Sequence, residues 1–182
     1  FISEKVVNRV ITGEFFHRDY LMESKKSGFR KKVIFQTLEQ PVQIDSTDLK
    51  ILAGLSRDSR LSVVDLAKKV PISADAVGKR IKNLEKSGII KNYIILINDR
   101  KLKQLHYKVL LRVSNFPLTT ERKFLEFCRQ HKSIVFYNKN IGSWEIEIDL
   151  EVQNSEDFRE IMRSIKKEFA DSIKDYFSLM IY

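Results

Sequence analysis

Two stretches of the chain carry side chains whose types and spacing suit recognition chemistry. In the first, Ser73, Ala74, Asp75, Gly78, Lys79, Lys82 and Asn83 project away from the apolar positions Val77, Ile81 and Leu84 if the segment is wound as a helix. Lysine and asparagine reach phosphate oxygens and base edges, while Asp75 either accepts from cytosine or complements the helix N-terminus. Gly78 costs about 1 kcal/mol of helix propensity relative to alanine, which is tolerable where a backbone approaches DNA closely. Arg60, Lys68 and Lys91 suit phosphate contacts that position a protein without reading sequence, and each is equally a solvated surface cation. In the second stretch, Gly142 permits close backbone approach and Asn140, Ser143 and Glu145 surround it with hydrogen-bonding groups. Such a turn suits a small zwitterion, with Glu145 towards its ammonium group. The competing reading is a tight hairpin that needs glycine only for its backbone angles.

Catalytic and metal-binding patterns are not apparent in the sequence. His17, His106 and His131 are far apart, and Cys128 shares the apolar side of its segment with Phe124 and Phe127, the place of a small core residue rather than a nucleophile. Glu145, Glu147, Asp149 and Glu151 alternate like the carboxylates of a metal site, but the plainer reading is a solvated or salt-bridged face. The expectation is a protein with no catalytic residues, no metal and no cofactor. A single cysteine excludes an intramolecular disulfide and a cysteine-rich metal knuckle, in keeping with a reducing cytoplasm. No apolar run approaches the roughly 20 residues of a membrane span, and no signal-peptide pattern opens the chain.

The net charge of +9 is unevenly placed: +3 over residues 1–42, +6 over 43–106 and 0 over 107–182. Basic charge concentrated in one segment is the electrostatic footprint of a nucleic-acid contact, since neutralised phosphates release counterions. Charge alone serves a soluble basic surface equally well.

The elements that must hold the first stretch are three short helices with similar start signals. Asp45, Ser62 and Ser73 are N-caps, Asp48 and Asp65 stand in the third helical position, and Ile44–Leu49 and Leu61–Leu66 are spaced as hydrophobic staples. The helices start near residues 46, 63 and 74. Their predicted core is Leu49, Leu52 and Leu55, then Val63, Leu66, Ala67 and Val70, then Val77, Ile81 and Leu84. Only Pro71-Ile72-Ser73 separates the second helix from the third, the tight connection of a helix-turn-helix whose second helix enters the major groove. Gly88 suits a C-cap, and the β-branched run Ile89–Ile97 suits a strand or wing.

From residue 107 the pattern becomes βαββαβ: strands at Tyr107–Val113, Ile134–Asn138, Trp144–Val152 and Ile173–Tyr182, with helices at Thr120–His131 and around Phe158–Phe169. That order predicts a ferredoxin-like sandwich with both helices on one sheet face, an α+β fold. Lys108, Leu110 and Arg112 fall on the other face, within reach of the acidic row, and a homodimer packed sheet against sheet would cover them. The expected division is residues 1–42 as an N-terminal segment and basic linker, 43–106 as the helix-turn-helix domain with linker, and 107–182 as the effector-binding and oligomerisation domain. In the first of these, Val6, Val7, Val10 and Ile11 suit a strand about as well as a short helix, with the strand preferred, Phe15, Phe16 and Tyr20 supply an aromatic anchor, and residues 25–32 read as a flexible basic linker. The chain opens on Phe1 rather than methionine, as expected of a fragment or a processed product.

Ile44-Asp45-Ser46-Thr47-Asp48-Leu49-Lys50-Ile51-Leu52, Leu66-Ala67-Lys68-Lys69-Val70 with Ser73, and Arg80-Ile81-Lys82-Asn83-Leu84-Glu85-Lys86-Ser87-Gly88-Ile89-Ile90 together resemble the Lrp/AsnC family of feast/famine regulators. Asn140-Ile141-Gly142-Ser143-Trp144-Glu145 is similar to the turn of that family's effector-binding (RAM) domain. The resemblance covers residues 43–182. It implies a winged helix-turn-helix followed by a RAM-type domain, in a dimer or higher assembly that binds operator DNA through the third helix and takes small molecules, often amino acids, between sensor domains. Two positions depart from the pattern. Gly78 stands where a polar or basic side chain is common, and Glu145 replaces an aspartate. Archaeal-type members carry the helix-turn-helix and sensor unit twice, and Ile2–Ile11, laid beside Ile173–Tyr182, resembles the exit of an earlier unit. Two other readings of the residues stay open: a siroheme-decarboxylase-like tetrapyrrole enzyme, which resembles the same pairing of domains, and a dimerisation module with a vestigial helix-turn-helix.

Overall fold

The computed structural model describes residues 7–21, 33–36 and 40–181. They fall into two compact units that divide between residues 38 and 39 and between 96 and 97.

The middle unit consists of α1 (Ser46–Arg57), α2 (Val63–Ala67) and α3 (Ala74–Lys86), each starting where its cap predicts. Asp45 accepts from the N–H groups of Thr47 and Asp48 at 2.8 Å, and Asp48 accepts in return from the Asp45 N–H at 3.2 Å, which closes a capping box. Ser62 takes the Asp65 N–H and Ser73 the Ala76 N–H. At its far end α3 stops on Gly88, whose φ of +76° turns the chain so that the Ile90 N–H reaches the Leu84 carbonyl at 3.0 Å.

Ile51, Leu66, Val70, Val77 and Leu84 form the buried core of this unit, ringed by Leu52, Leu55, Leu61, Ala67, Ile72, Ile81 and Ile90. Each fully buried aliphatic side chain stabilises by about 1.5–3 kcal/mol. Two expected core members are corrected: Leu49 is 54% exposed and Val63 40%, whereas Ile51 is fully buried. The cause is how close α1 comes to α2. A Cβ at Gly54 would stand 2.6 Å from Leu66 Cδ2, so α1 approaches through the face that carries Ile51 and Gly54. That turns Leu49 outward, and with Ile44 also exposed the expected staple buries little. The run Ile89–Ile97 is a second correction, because it forms no strand. Ile95 and Leu96 are 72% and 96% exposed, and among the described residues no strand lies beside them. β-branched composition without a ladder partner does not make a strand.

The other unit is one antiparallel sheet with two helices. Its elements are β1 (Asn8–Phe15), β2 (Val33–Gln36), β3 (Leu105–Val113), α4 (Leu118–Gln130), β4 (Ile134–Gly142), β5 (Ile146–Val152), α5 (Ser155–Glu168) and β6 (Ile173–Ile181). From β3 to β6 the order is the expected βαββαβ, and the strands stand β4-β5-β3-β6 in the sheet, the ferredoxin-like arrangement. Ile146, Ile148, Leu150 and Val152 are all buried, facing Phe124 and Cys128 of α4 and Ile161, Met162 and Ile165 of α5 in one cluster. The period of two along β5 thus decides which face the helices cover. Lys108, Leu110 and Arg112 lie on the other face, beside Phe177, Leu179 and Ile181 of β6.

β1 and β2 extend this sheet beyond β4. The β1–β4 ladder runs from Asn8 opposite Gly142 to Phe15 opposite Phe136, with a bulge between Val10 and Thr12, and β2 pairs with β1 on the outside. The strand expected around Val7–Ile11 therefore exists, but as part of the C-terminal sheet. Left alone, the β4 edge would present a row of unpaired backbone groups. Side chains fasten the addition: Arg129 grips the buried Glu14 in a bidentate pair, and Phe16 enters the core. Removing one partner of such a buried pair costs about 3–5 kcal/mol. Residues 1–6 and 22–32, on which the comparison with β6 and the basic linker partly or wholly rest, lie outside the described residues.

Candidate nucleic-acid interface and candidate ligand turn

On α3 the residues Asp75, Lys79, Lys82 and Asn83 are exposed and recur at a spacing of 4, 3 and 1, so they share one face opposite the buried Val77 and Leu84. Lys86 continues the same exposed stripe. It lies outside the residues that the sequence singles out, although its place four residues after Lys82 is the signal. Ser73 is spent on capping the helix, and Ala74 is half-buried beside it. Gly78 has room: a Cβ there would meet only Val63 Cγ1, at 3.9 Å. Packing within this chain therefore does not require glycine.

Of the flanking cations, Arg60 is exposed, Lys91 is half-buried, and Lys68 is held by Asp65 at 2.8 Å. Arg80 is a further residue that sequence reasoning misses. Its guanidinium lies 2.8 Å from both Asp45 and Asp48, tying the middle of α3 to the capping box of α1. The Asp48 N–H first, and then Arg80, hold the Asp45 carboxyl below the usual carboxylate range. In sequence the two acids read only as cap residues, because their partner lies 32 and 35 residues away. Arg80 is thus a positioning residue for α3 rather than part of its exposed stripe.

The turn between β4 and β5 gathers the four candidate ligand residues, each with a neighbour of its own. Gly142 has φ +151°, a conformation that side chains rarely adopt, and a Cβ on it would collide with the side chain of Asn8 and the carbonyl of Val7 and stand 2.9 Å from Asn8 Cα. The close backbone approach that glycine permits is therefore made here by the N-terminal end of β1. Asn8 Oδ1 also accepts the Trp144 N–H at 3.3 Å. Glu145 Oε2 accepts the Val113 N–H at 2.9 Å. Ser143 is exposed, its carbonyl taking Arg112 Nε at 3.3 Å while Arg112 lies over the Trp144 ring. Asn140 is only 3% exposed, and its side-chain amide has no hydrogen-bond partner on either atom. A buried carboxamide left unsatisfied is costly, and a polar ligand or water reaching this turn would relieve that cost.

Among the described residues, Cys128, His106 and the acidic row of β5 are taken up by packing and ion pairing. Burial pushes the Cys128 thiol well up, as suits a core residue. The acidic row of β5 is paired rather than solvated: Lys108 meets Glu147 and Asp149, and Arg18 and Tyr20 meet Glu151, which is almost fully buried. His106 bridges Asp99 and Asp149, and Asp149 above all holds its imidazole above the ordinary range against partial burial.

Comparison with known proteins agrees with this arrangement. Residues 44–85 match the AsnC-type helix-turn-helix domain. The HTH-type transcriptional regulator LrpA of Pyrococcus horikoshii is 51% identical over 59 residues, covering 32% of this chain and 42% of that regulator. The chain thus matches less than half the length of this curated relative. Among solved structures, LrpC of Bacillus subtilis superposes with a TM-score of 0.64 at 22% identity, over 78% of this chain and 96% of the other. A transcriptional regulator of Neisseria meningitidis in complex with L-Met gives a TM-score of 0.66 at 20% identity, over 77% and 90%. These relatives are named as regulators, and the tetrapyrrole-enzyme reading gains no support from them. Residues 44–85 thus form an AsnC-type helix-turn-helix domain, and the chain as a whole shares the fold of solved regulators such as LrpC.

Proposed function

We propose that this chain is a sequence-specific, DNA-binding transcriptional regulator of the cytoplasm, assembled as a dimer or larger and modulated by a small amino acid. The observation that carries the DNA-binding part is the exposed stripe of α3, held by its Ser73 cap and the Arg80 tether inside an AsnC-type helix-turn-helix. Lys79, Lys82, Asn83 and Lys86 reach DNA from one helix face, with Arg60 and Lys91 as backbone contacts, while Lys68 is matched by Asp65 and contributes little. Titrating duplex DNA at rising salt tests it: log K should fall linearly with log salt, with about 0.9 units of slope per phosphate contact. No salt-sensitive binding to genomic duplex would leave the dimerisation module with a vestigial helix-turn-helix.

Gly78 gives this reading a test of its own. Gly78→Ala meets no obstacle within the chain, so it should stabilise the helix by roughly 1 kcal/mol. If the bare backbone is there for DNA, the same change should weaken operator binding, and thermal melts beside anisotropy titrations separate the two effects. A more stable variant that binds as tightly would show that α3 does not approach DNA at this position.

Assembly rests on the helix-free sheet face, where Phe177, Leu179 and Ile181 are 50%, 40% and 42% exposed next to Leu110. Apolar side chains in such a row favour burial against a second copy. Sedimentation of the full chain at micromolar concentration should give a dimer or larger, and a monodisperse monomer would defeat this part of the proposal. For the effector, the complex of the Neisseria regulator with L-Met supports an amino acid. Asn140, Gly142, Ser143 and Glu145 are the proposed contacts, with Asn140 contributing the unpaired amide.

A further inference from the structure

The geometry points to a divalent metal site on the sheet unit, formed by Asp99, His106 and Glu151, for a transition ion of the zinc or manganese type. It goes beyond the regulatory reading and does not depend on it.

Three parts of the chain converge there. Asp99 opens the short 3-10 turn Asp99–Leu102, His106 lies near the start of β3, and Glu151 lies on β5 directly opposite His106. One ligand atom from each falls within 4.8 Å of the other two. Metal–ligand bonds of about 2.0–2.2 Å require closing this by about 1 Å, within the reach of side-chain rotation. Mixed imidazole and carboxylate ligands suit zinc or manganese better than magnesium or calcium, which take oxygen alone.

A second observation is independent of that convergence, namely the groups standing behind the ligands. Metal-bound histidine characteristically passes its other ring N–H to a carboxylate, which fixes the ring and raises its basicity. Here His106 Nδ1 faces Asp99 Oδ2 at 3.1 Å, and Nε2 faces Asp149 Oδ2 at 3.2 Å. Asp149 thus stands behind the ring, on the side away from Asp99. Glu151 is oriented in the same way, gripped by Arg18 at 2.7 and 2.8 Å and by the Tyr20 hydroxyl. Both the imidazole and the buried carboxylate are held in place by outer partners before any ion arrives.

Charge points the same way. Asp99, Glu147, Asp149 and Glu151 stand in contact with Arg18 and Lys108 as the only permanent cations of the cluster among the described residues, which leaves two negative charges in excess once His106 gives up its proton to become a ligand. One dication balances them. Three protein ligands leave a coordination position for water or a small anion.

The full-length chain, freed of metal with a chelator and dialysed against Zn²⁺ or Mn²⁺ alone, should retain one ion per chain and melt at a higher temperature with it. Mg²⁺ at the same concentration should give neither effect. His106→Gln should abolish retention, and Asp149→Asn should weaken it by about 10- to 100-fold by removing the group that orients the imidazole. Should His106→Gln fail to fold, Asp99→Asn, in the short turn, decides instead. No ion retained by the wild-type chain would overturn the proposal and leave His106 as an imidazolium clamped between two carboxylates. Retention that neither His106→Gln nor Asp99→Asn reduces would place the ion elsewhere and overturn it equally.

Discussion

Alanine at both Lys79 and Lys82 is expected to weaken binding of duplex DNA by about 10- to 100-fold at physiological salt and to flatten the salt dependence by about two units of slope. Both side chains are exposed on the outward face of α3, and neither joins an ion pair among the described residues, so their charges are available to phosphates. Lys68 makes a suitable control. Its ammonium group is already matched by Asp65 at 2.8 Å, and Lys68→Ala should change both quantities much less. The core of the unit, Ile51, Leu66, Val70, Val77 and Leu84, lies on the opposite side of α3, so the double variant should keep its melting temperature. A folded double variant with unchanged affinity and slope would remove α3 from the interface and end the proposed mode of recognition.

The features of this fold that are legible in the sequence are those that depend on near neighbours in the chain. Asp45, Ser62 and Ser73 make their capping bonds within three residues, and the starts of α1, α2 and α3 follow from them. The alternation along β5 likewise needs only its own period, and it identifies the buried face at Ile146, Ile148 and Leu150. Features set by distant partners are out of reach. Leu49 and Ile51 are both apolar, and only the contact of Gly54 with Leu66 decides which one turns inward. Ile89–Ile97 has strand composition, yet a strand is a property of two segments, and among the described residues the second is missing. Arg80 and Arg18 find their carboxylates 32 and 133 residues away, so neither the tether on α3 nor the cluster around Glu151 leaves a local pattern. In the candidate site the same rule holds: the stripe on α3 follows from helical period, whereas the packing of β1 against Gly142 depends on a strand 134 residues earlier in the chain.

Gly142→Val should therefore act on β1 before it acts on anything else. A valine there must adopt φ +151° and place its Cβ into the side chain of Asn8 and the carbonyl of Val7, two penalties of about 1–3 kcal/mol each. The structure relieves both most cheaply by releasing the N-terminal end of β1, because the ferredoxin-like sheet of β3 to β6 does not use that ladder. Amide hydrogen exchange should then speed up by about 10- to 100-fold or more at residues 8–12, in line with the loss of a few kcal/mol of local protection. Around Gly13–Phe16 the effect should fade, since Glu14 remains gripped by Arg129 and Phe16 by the core, while β3 and β5 keep their protection. Unchanged exchange at residues 8–12 would mean that β1 is not seated on the glycine at all. The same variant bears on the effector. If amino acids bind at this turn, a thermal shift seen with the wild-type chain should vanish in Gly142→Val and persist in Asn8→Ala, which removes the Asn8 side chain from the turn without placing a side chain on the glycine. A shift indifferent to Gly142→Val would move the effector away from Asn140, Ser143 and Glu145, and the turn would then be a seat for β1 alone.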